Sequence, residues 1–373
     1  MTQVDRGPIR EIEIPGGTRA WLVTGYDEAR QALNDPRLSK TAPGLRVGPL
    51  GDDIREATFR HMLAADPPDH TRLRRLVSAA FTARRIEALR PRIQQISDDL
   101  LDGLAGEKRA DLIDSYAFPL PIQVICELLG LPDEDRDTFR SWTNVIVGGP
   151  AYREQLPSAM RDLVAYTREL LAQRRERPGE DLLSGLIAAR DDQDRLSEDE
   201  LTSMVFLLLI AGHETTVNLI GNGAMLLLAD RSRWERLETD RDLLPAAIEE
   251  FLRYEGPVAY ATSRFTTEPM EIGGRPLPAG ASVFVGLAEA NRDPGRFADA
   301  ADVDLTREQN PHLGFGHGIH YCLGAPLARL EAQIAFTGLL DRFPQMRLDG
   351  TVDELQWRPG MLLRGLFHLP VTL

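Results

Sequence analysis

The sequence predicts a mainly α-helical chain with a small β region, on three observations. Helical apolar spacing fills residues 85–190, broken near Gly106, Pro119 to Pro121, Pro132, Gly148 to Pro150 and Pro178, which implies a bundle of five or six helices. Leu201 to Leu228 is the longest apolar pattern and follows the run Ser197-Glu198-Asp199-Glu200, whose acids suit a helix N-terminus. Strand patterns are short and few. Ile9 to Ile14 alternates, Pro15-Gly16-Gly17 turns and Ala20 to Thr24 runs apolar, which reads as a hairpin, while Gly273-Gly274 and Pro278-Ala279-Gly280 mark further hairpin turns.

The bounds are consistent with this. At 373 residues and 43% hydrophobic, with no serine- or glycine-rich linker, the chain is expected to form a single domain over residues 1–373. A net charge of −14 and a pI near 5.1 argue against nucleic acid and anionic membranes as partners. Two cysteines, Cys126 and Cys322, make no disulfide framework and fit a reducing cytoplasm; Cys126, inside the apolar run Ile122 to Leu131, reads as core packing. The first fifteen residues lack the apolar core of a signal peptide, and no run of about 20 apolar residues occurs anywhere. A cytoplasmic protein without a membrane anchor is therefore expected.

In chain order, Tyr26 to Asn34 reads as a short helix, and residues 41–66 as an irregular loop rich in Gly and Pro, periodic only near Ile54 to Leu63. Pro67-Pro68 stop that loop and Asp69 suits a helix N-cap. His70 and Arg74, four apart, share one helical face, which suits an anionic group or a plain solvated basic surface. From His70 to Arg92 there are seven arginines against one glutamate, a basic island able to steer an acidic partner. Glu250 and Arg253 form an i,i+3 pair on the amphipathic stretch Ala246 to Arg253, and Arg264 to Thr266 reads as a strand.

Two stretches carry chemistry. The long helical pattern is interrupted by Ala211-Gly212-His213-Glu214-Thr215-Thr216. A glycine costs a helix interior about 1 kcal/mol against alanine, and each threonine several tenths more. Threonine hydroxyls bonding back one turn, or close packing at Gly212, are structural explanations. Neither accounts for an ionisable Glu214 beside Thr215 in so apolar a run, since a buried carboxylate is expensive.

The second stretch is Gly314 to Leu330. Gly314, Gly316 and Gly318 alternate with other residues, so the backbone can turn tightly and lie close to something flat. Cys322 then precedes Gly324, Pro326 and a helical run from Leu327 to Phe343. A thiol before a helix start meets unpartnered N–H groups and the positive end of the helix dipole, which favour thiolate over thiol. One thiolate on a glycine loop suits a soft metal or attack on carbon. A zinc site drawing on His312, His317, His320 and Cys322 is an alternative, with tighter spacing than zinc ligands usually have.

The order Phe315, Gly318, His320, Cys322, Gly324 resembles the cysteine-ligand loop of the cytochrome P-450 family, the haem-thiolate monooxygenases. Ala211 to Thr216 resembles that family's oxygen-activation motif. The resemblance runs from about residue 8 to the end, with an N-terminus shorter than is usual for the family. It implies the triangular, mainly α cytochrome P-450 fold around a non-covalent haem b, and Cys322 as axial iron ligand. His70, Arg74, Arg264 and His320 are implied propionate contacts, and Phe315, Gly316, Gly324, Ala211 and Gly212 further haem neighbours. Gly212 would leave room for dioxygen, Thr215 would donate a hydrogen bond on the oxygen side and Glu214 would relay protons. Glu250 and Arg253 would be a buried structural pair, and Val258, Ala259 and Leu362 would line the substrate pocket. The implied activity is hydroxylation or epoxidation of a hydrophobic polyketide-, macrolide- or terpenoid-like small molecule by a monomer. Electrons would come from NAD(P)H through a ferredoxin reductase and a ferredoxin docked at the arginine island. A peroxide-driven oxidase, a haem-based sensor and an electron carrier are the alternatives; the Glu214-Thr215 pair argues against the first.

Overall fold

The computed structural model describes residues 7–14, 17–41, 51–78, 81–131, 136–148, 152–179, 181–191 and 196–373. The turn expected at Pro15-Gly16, residues 42–50 of the expected loop, and the breaks at Pro132 and at 149–150 lie outside these.

The chain opens with β1 (Ile9–Ile14), β2 (Thr18–Val23), α1 (Tyr26–Asn34) and β3 (Leu38–Ser39). Next come α2 (Asp52–Phe59), α3 (Asp69–Ser78), α4 (Ala83–Ala88), α5 (Arg90–Leu104) and β4 (Arg109–Asp111). Then follow α6 (Pro119–Leu129), α7 (Arg136–Val147), α8 (Leu156–Glu176), α9 (Leu182–Asp191), α10 (Glu198–Leu228), α11 (Arg231–Thr239) and α12 (Leu244–Tyr254). The last part holds β5 (Arg264–Thr266), β6 (Met270–Ile272), β7 (Arg275–Leu277), β8 (Ser282–Val285), α13 (Leu287–Ala290), α14 (Ala325–Arg342), β9 (Arg347–Leu348) and β10 (Pro370–Thr372). These elements form two compact units. One comprises Met1–Leu45, Pro245–Cys322 and Met361–Arg364; the other comprises Arg46–Leu244, Leu323–Gly360 and Gly365–Leu373.

The first unit is built on a five-stranded sheet ordered β1-β2-β8-β5-β3, in which β2 and β8 run parallel and the other neighbours antiparallel. The predicted hairpin is present, with Ile9 opposite Val23. Ile9, Val23, Tyr26, Leu33, Val283 and Phe297 belong to its core. The Glu250–Arg253 pair on α12 is fully buried, not surface decoration. Arg253 Nε donates to Glu250 Oε2 at 2.8 Å and Nη2 to Oε1 at 2.7 Å. Its other N–H groups reach the carbonyls of Asn291, Ala300 and Asp302. Glu250 in turn accepts from Asp304 N, Arg307 Nε and Asn310 Nδ2. A buried ion pair is tolerable only when the remaining lone pairs and N–H groups are satisfied in this way.

The second unit is organised on α10, against which α2, α6, α8 and α14 pack. The helix starts at Glu198, three residues before the expected Leu201, because Ser197 caps it. Ser197 Oγ accepts from Glu200 N at 3.1 Å, and Glu200 Oε2 accepts from Ser197 N at 2.7 Å. By length and composition α10 would suffice to cross a membrane, yet it is a core helix buried among its neighbours. The weak periodicity near Ile54 is a real helix, α2, and Asp69 lies inside α3, not before it. Gly130, with φ of 71°, ends α6: Leu131 N donates to Cys126 O and Gly130 N to Glu127 O.

Replacing Arg253 with Leu leaves the Glu250 carboxylate buried without its main counter-charge. This is expected to cost about 3–5 kcal/mol in denaturant unfolding, or to prevent folding.

Candidate active site

The cysteine loop belongs to the first unit. Cys322 N donates to Phe315 O at 2.9 Å, closing the segment between them. Cys322 itself is exposed, whereas Cys126 is buried, as expected of core packing. Exposure is unusual for a residue type otherwise among the most buried. Gly316 and Gly318 both sit at φ of 74°, where a side chain is strained. Their surroundings differ. A Cβ on Gly318 would lie 2.9 Å from Leu33 O, and one on Gly314 would lie 2.9 Å from Leu252 O, so these two glycines let the loop press against its own chain. A Cβ on Gly316 would meet nothing closer than His320 O at 3.9 Å, so only here does the loop leave its face open to another molecule.

The histidines of this loop do not converge on the sulfur. His312 Nδ1 accepts from Gly314 N at 3.0 Å, and its Nε2 lies 2.9 Å from Glu249 Oε2. Burial, aided by the Arg30 charge, holds His317 below the usual imidazole range. Among the described residues the one group of three potential ligands within reach of each other is Asp111, Asp114 and His368, so the zinc alternative at Cys322 has no geometric support.

In the second unit, α10 stays helical through Ala211 to Thr216. Thr215 Oγ1 donates to Ala211 O at 3.0 Å, the back-bond that lets a threonine sit in a helix. The missing side chain of Gly212 is explained locally: a Cβ would lie 2.8 Å from Ile125 Cδ1 on α6. Ala211 is exposed and Gly212 and Thr215 are half-buried, an open strip on an otherwise buried helix.

Glu214 points elsewhere. It is 1% exposed, with Oε2 3.1 Å from Arg358 Nη1 and Oε1 3.5 Å from His213 Nε2. His213 is anchored by Nδ1, 2.7 Å from Leu209 O. Burial, the largest single influence on Glu214, raises its proton affinity. His213, the Arg358 charge and the Thr143 hydroxyl together outweigh it and hold the carboxyl below the usual range. Neither Arg358 nor Thr143 was legible as a site residue, since each becomes a neighbour of Glu214 only in three dimensions.

Of the remaining expected residues, His70 is 3% exposed on α3 and Arg74 half-buried one turn on. Arg264 on β5 is 4% exposed, its Nη1 donating to Thr262 O at 3.2 Å. Val258, Ala259 and Leu362 do meet: Ala259 N donates to Leu362 O at 2.9 Å, and Val258 is bridged to Leu363. His320 is half-buried beside Cys322, and Gly324 is the N-cap of α14, which begins at Ala325, two residues before the expected start. In the arginine island Arg72 is paired with Glu200, Arg90 with Glu87 and Arg92 with Glu127, which leaves fewer free charges for a partner than the sequence count suggests.

An exposed sulfur on a loop that lies flat at Gly316, together with the buried cation Arg264, has the donor chemistry of a thiolate-ligated haem enzyme. Comparison with known proteins agrees. The cytochrome P450 family model matches residues 149–364, through segments of both units. Cytochrome P450 107B1 of Saccharopolyspora erythraea is 53% identical over 98% of this chain and 92% of its own length. The 6-deoxyerythronolide B hydroxylase of the same organism is 47% identical over 96% and 91%. The structure of the tirandamycin C-bound P450 monooxygenase TamI superposes with a TM-score of 0.90 at 47% identity, covering 98% of this chain and 94% of that one. The chain belongs to the cytochrome P450 family. It has that family's fold and is an oxidoreductase of the monooxygenase type.

Held below the ordinary value of 4.5, Glu214 contributes stability that is fully present above that value and is lost as the pH falls through its lower folded-state value. Unfolding at about pH 7 and about pH 4 is expected to show a smaller acid loss for Glu214→Gln than for the parent; equal losses would show that the carboxylate is not held.

Proposed function

We propose that this protein is an external monooxygenase that binds haem b non-covalently through Cys322. It inserts one atom of dioxygen into a hydrophobic small molecule, using electrons from NAD(P)H delivered by a ferredoxin reductase and a ferredoxin. The observation that carries this reading is the exposed sulfur of Cys322 on a loop closed by its own N–H and open at Gly316. When bound, the haem supplies reductive activation of dioxygen, favoured by an electron-rich thiolate ligand.

The rest is done by the chain. His70, Arg74, Arg264 and His320 would hold the propionates, whose charge suits the buried guanidinium of Arg264. Phe315, Gly316 and Gly324, with Ala211 and Gly212 on the open strip of α10, would be further neighbours of the haem. Thr215 spends its hydroxyl proton on Ala211 O and has lone pairs left to accept another hydrogen bond. To donate on the oxygen side it must turn from that carbonyl. Glu214 is the proton relay behind it, and a positioned relay limits the loss of peroxide to bulk water. Val258, Ala259 and Leu362 line the substrate side, with Leu362 44% exposed.

For the substrate, the named molecules of two relatives, 6-deoxyerythronolide B and tirandamycin C, support a polyketide- or macrolide-like compound, hydroxylated or epoxidised. A monomer in the cytoplasm completes the reading, supported by two cysteines that form no disulfide with each other.

Dithionite-reduced protein exposed to carbon monoxide is expected to show the strongly red-shifted Soret band of thiolate ligation, absent in Cys322→Ser. An unshifted band in the parent would overturn the assignment. With a surrogate ferredoxin system, Thr215→Ala is expected to divert reducing equivalents from product to hydrogen peroxide; unchanged coupling would remove Thr215 from the relay.

A further inference from the structure

The second unit holds a cavity of about 330 Å³, near the lower end of ligand cavities, which run from roughly 300 to 1,000 Å³. Two elements build most of its wall. On α7, Arg140, Asn144 and Val147 follow one another at four- and three-residue spacing, so one helical face presents all three. A hairpin supplies the rest. Trp357 bridges to Leu366, Arg358 N donates to Gly365 O at 2.8 Å, and Phe367 N donates to Gln356 O at 2.9 Å. Arg358 and Pro359 on one arm and Phe367 and His368 on the other thereby reach the cavity. Gly148, just after α7, completes the wall: a Cβ there would lie 2.3 Å from Tyr152 Cδ2, so the Tyr152 ring packs onto the bare glycine. Any larger residue would push that ring away.

The carboxylates around this space already accept hydrogen bonds. Asp114 pairs with Arg140, and Glu214 Oε2 lies 3.1 Å from Arg358 Nη1. Asp111, beside His368, accepts from Ile113 N at 3.0 Å and from Leu369 N at 2.9 Å. Donor capacity is what remains. Arg358 Nε is buried without a hydrogen-bond partner, although the Nε edge of a guanidinium fork matches the two oxygens of a carboxylate. A buried donor left without an acceptor is costly, so this wall favours a ligand that brings one. Arg140 is held in place by its stacking over the Phe118 ring, 4.4 Å from the centroid, and Asn144 adds an amide donor. Val147, Pro359 and Phe367 make the other part of the wall apolar.

We propose that this cavity is an accessory binding site for a small carboxylic acid with an aromatic or alicyclic body. Its carboxylate takes the Nε edge of Arg358 and the guanidinium of Arg140, each of which keeps its present partner on another N–H. A small turn of the Arg358 fork brings Nε to the ligand. The ring lies against Val147, Pro359 and Phe367, beside Tyr152. Two guanidiniums in the wall disfavour a cation. A neutral amide of the same shape loses the charge-assisted bonds, which are about twice as strong as neutral ones. Every lining residue belongs to the second unit, so the site stands independently of the reaction proposed above.

The test uses the haem-containing protein with 2-naphthoate as probe and 2-naphthamide as its neutral counterpart. Binding is read by titration calorimetry while the Soret band is followed in parallel. 2-Naphthoate is expected to bind once per chain without moving the Soret band, at least tenfold tighter than 2-naphthamide. Gly148→Ala, which displaces the Tyr152 ring, and Asn144→Leu, which fills the cavity, are each expected to weaken it at least fivefold. Arg140→Met is expected to erase the preference for acid over amide, and Arg140→Lys to restore part of it. Absence of 2-naphthoate binding, equal affinity for acid and amide, or an isotherm unchanged in both Gly148→Ala and Asn144→Leu would each overturn the site. So would a Soret shift in step with the heat, which would put the probe at the haem instead.

Discussion

An apolar helix of 31 residues is stable in water only if nearly its whole circumference is covered. In this chain α2, α6, α8 and α14 do the covering, so most of the second unit exists to bury α10. The polar run at Ala211 to Thr216 is then not an interruption of the helix but of its coat. Gly212 keeps α6 close, Thr215 satisfies its hydroxyl on its own backbone, and a strip of small residues is left open. The same burial forces Glu214 to find cationic company, which it does outside α10 as well as on it.

The cysteine loop obeys a different constraint. Its glycines are used in two ways: Gly314 and Gly318 press the loop onto the carbonyls of Leu252 and Leu33, and Gly316 keeps a positive φ with no side chain on the open face. With Cys322 N bonded to Phe315 O, the backbone that carries the sulfur is fixed within one unit. A ligand atom fixed in this way loses little conformational freedom on coordinating a metal.

Legibility in the sequence followed the distance over which each feature acts. Helices with caps, the hairpin and the cysteine loop are local patterns and were readable, as was the family that their order resembles. Glu250 with Arg253 is locally no more than an i,i+3 pair, because its burial comes from segments 38 to 60 residues away, such as Asn291 and Asn310. The glycines of the cysteine loop were all read as room for a flat partner, since nothing local shows that Leu33 and Leu252 arrive beneath two of them. Arg358 was invisible as a site residue for the same reason: 144 positions separate it from Glu214.

The two buried carboxylates show how one chemistry serves two ends. Glu250 accepts hydrogen bonds from five groups, and its partner Arg253 directs N–H groups at three carbonyls, so neither has a reason to move. Glu214 is as deeply buried, yet its Oε1 only faces His213 Nε2 at 3.5 Å and Arg358 Nε beside it has no hydrogen-bond partner. A low-dielectric interior strengthens satisfied networks and penalises incomplete ones, so the first arrangement is locked and the second is close in energy to its alternatives.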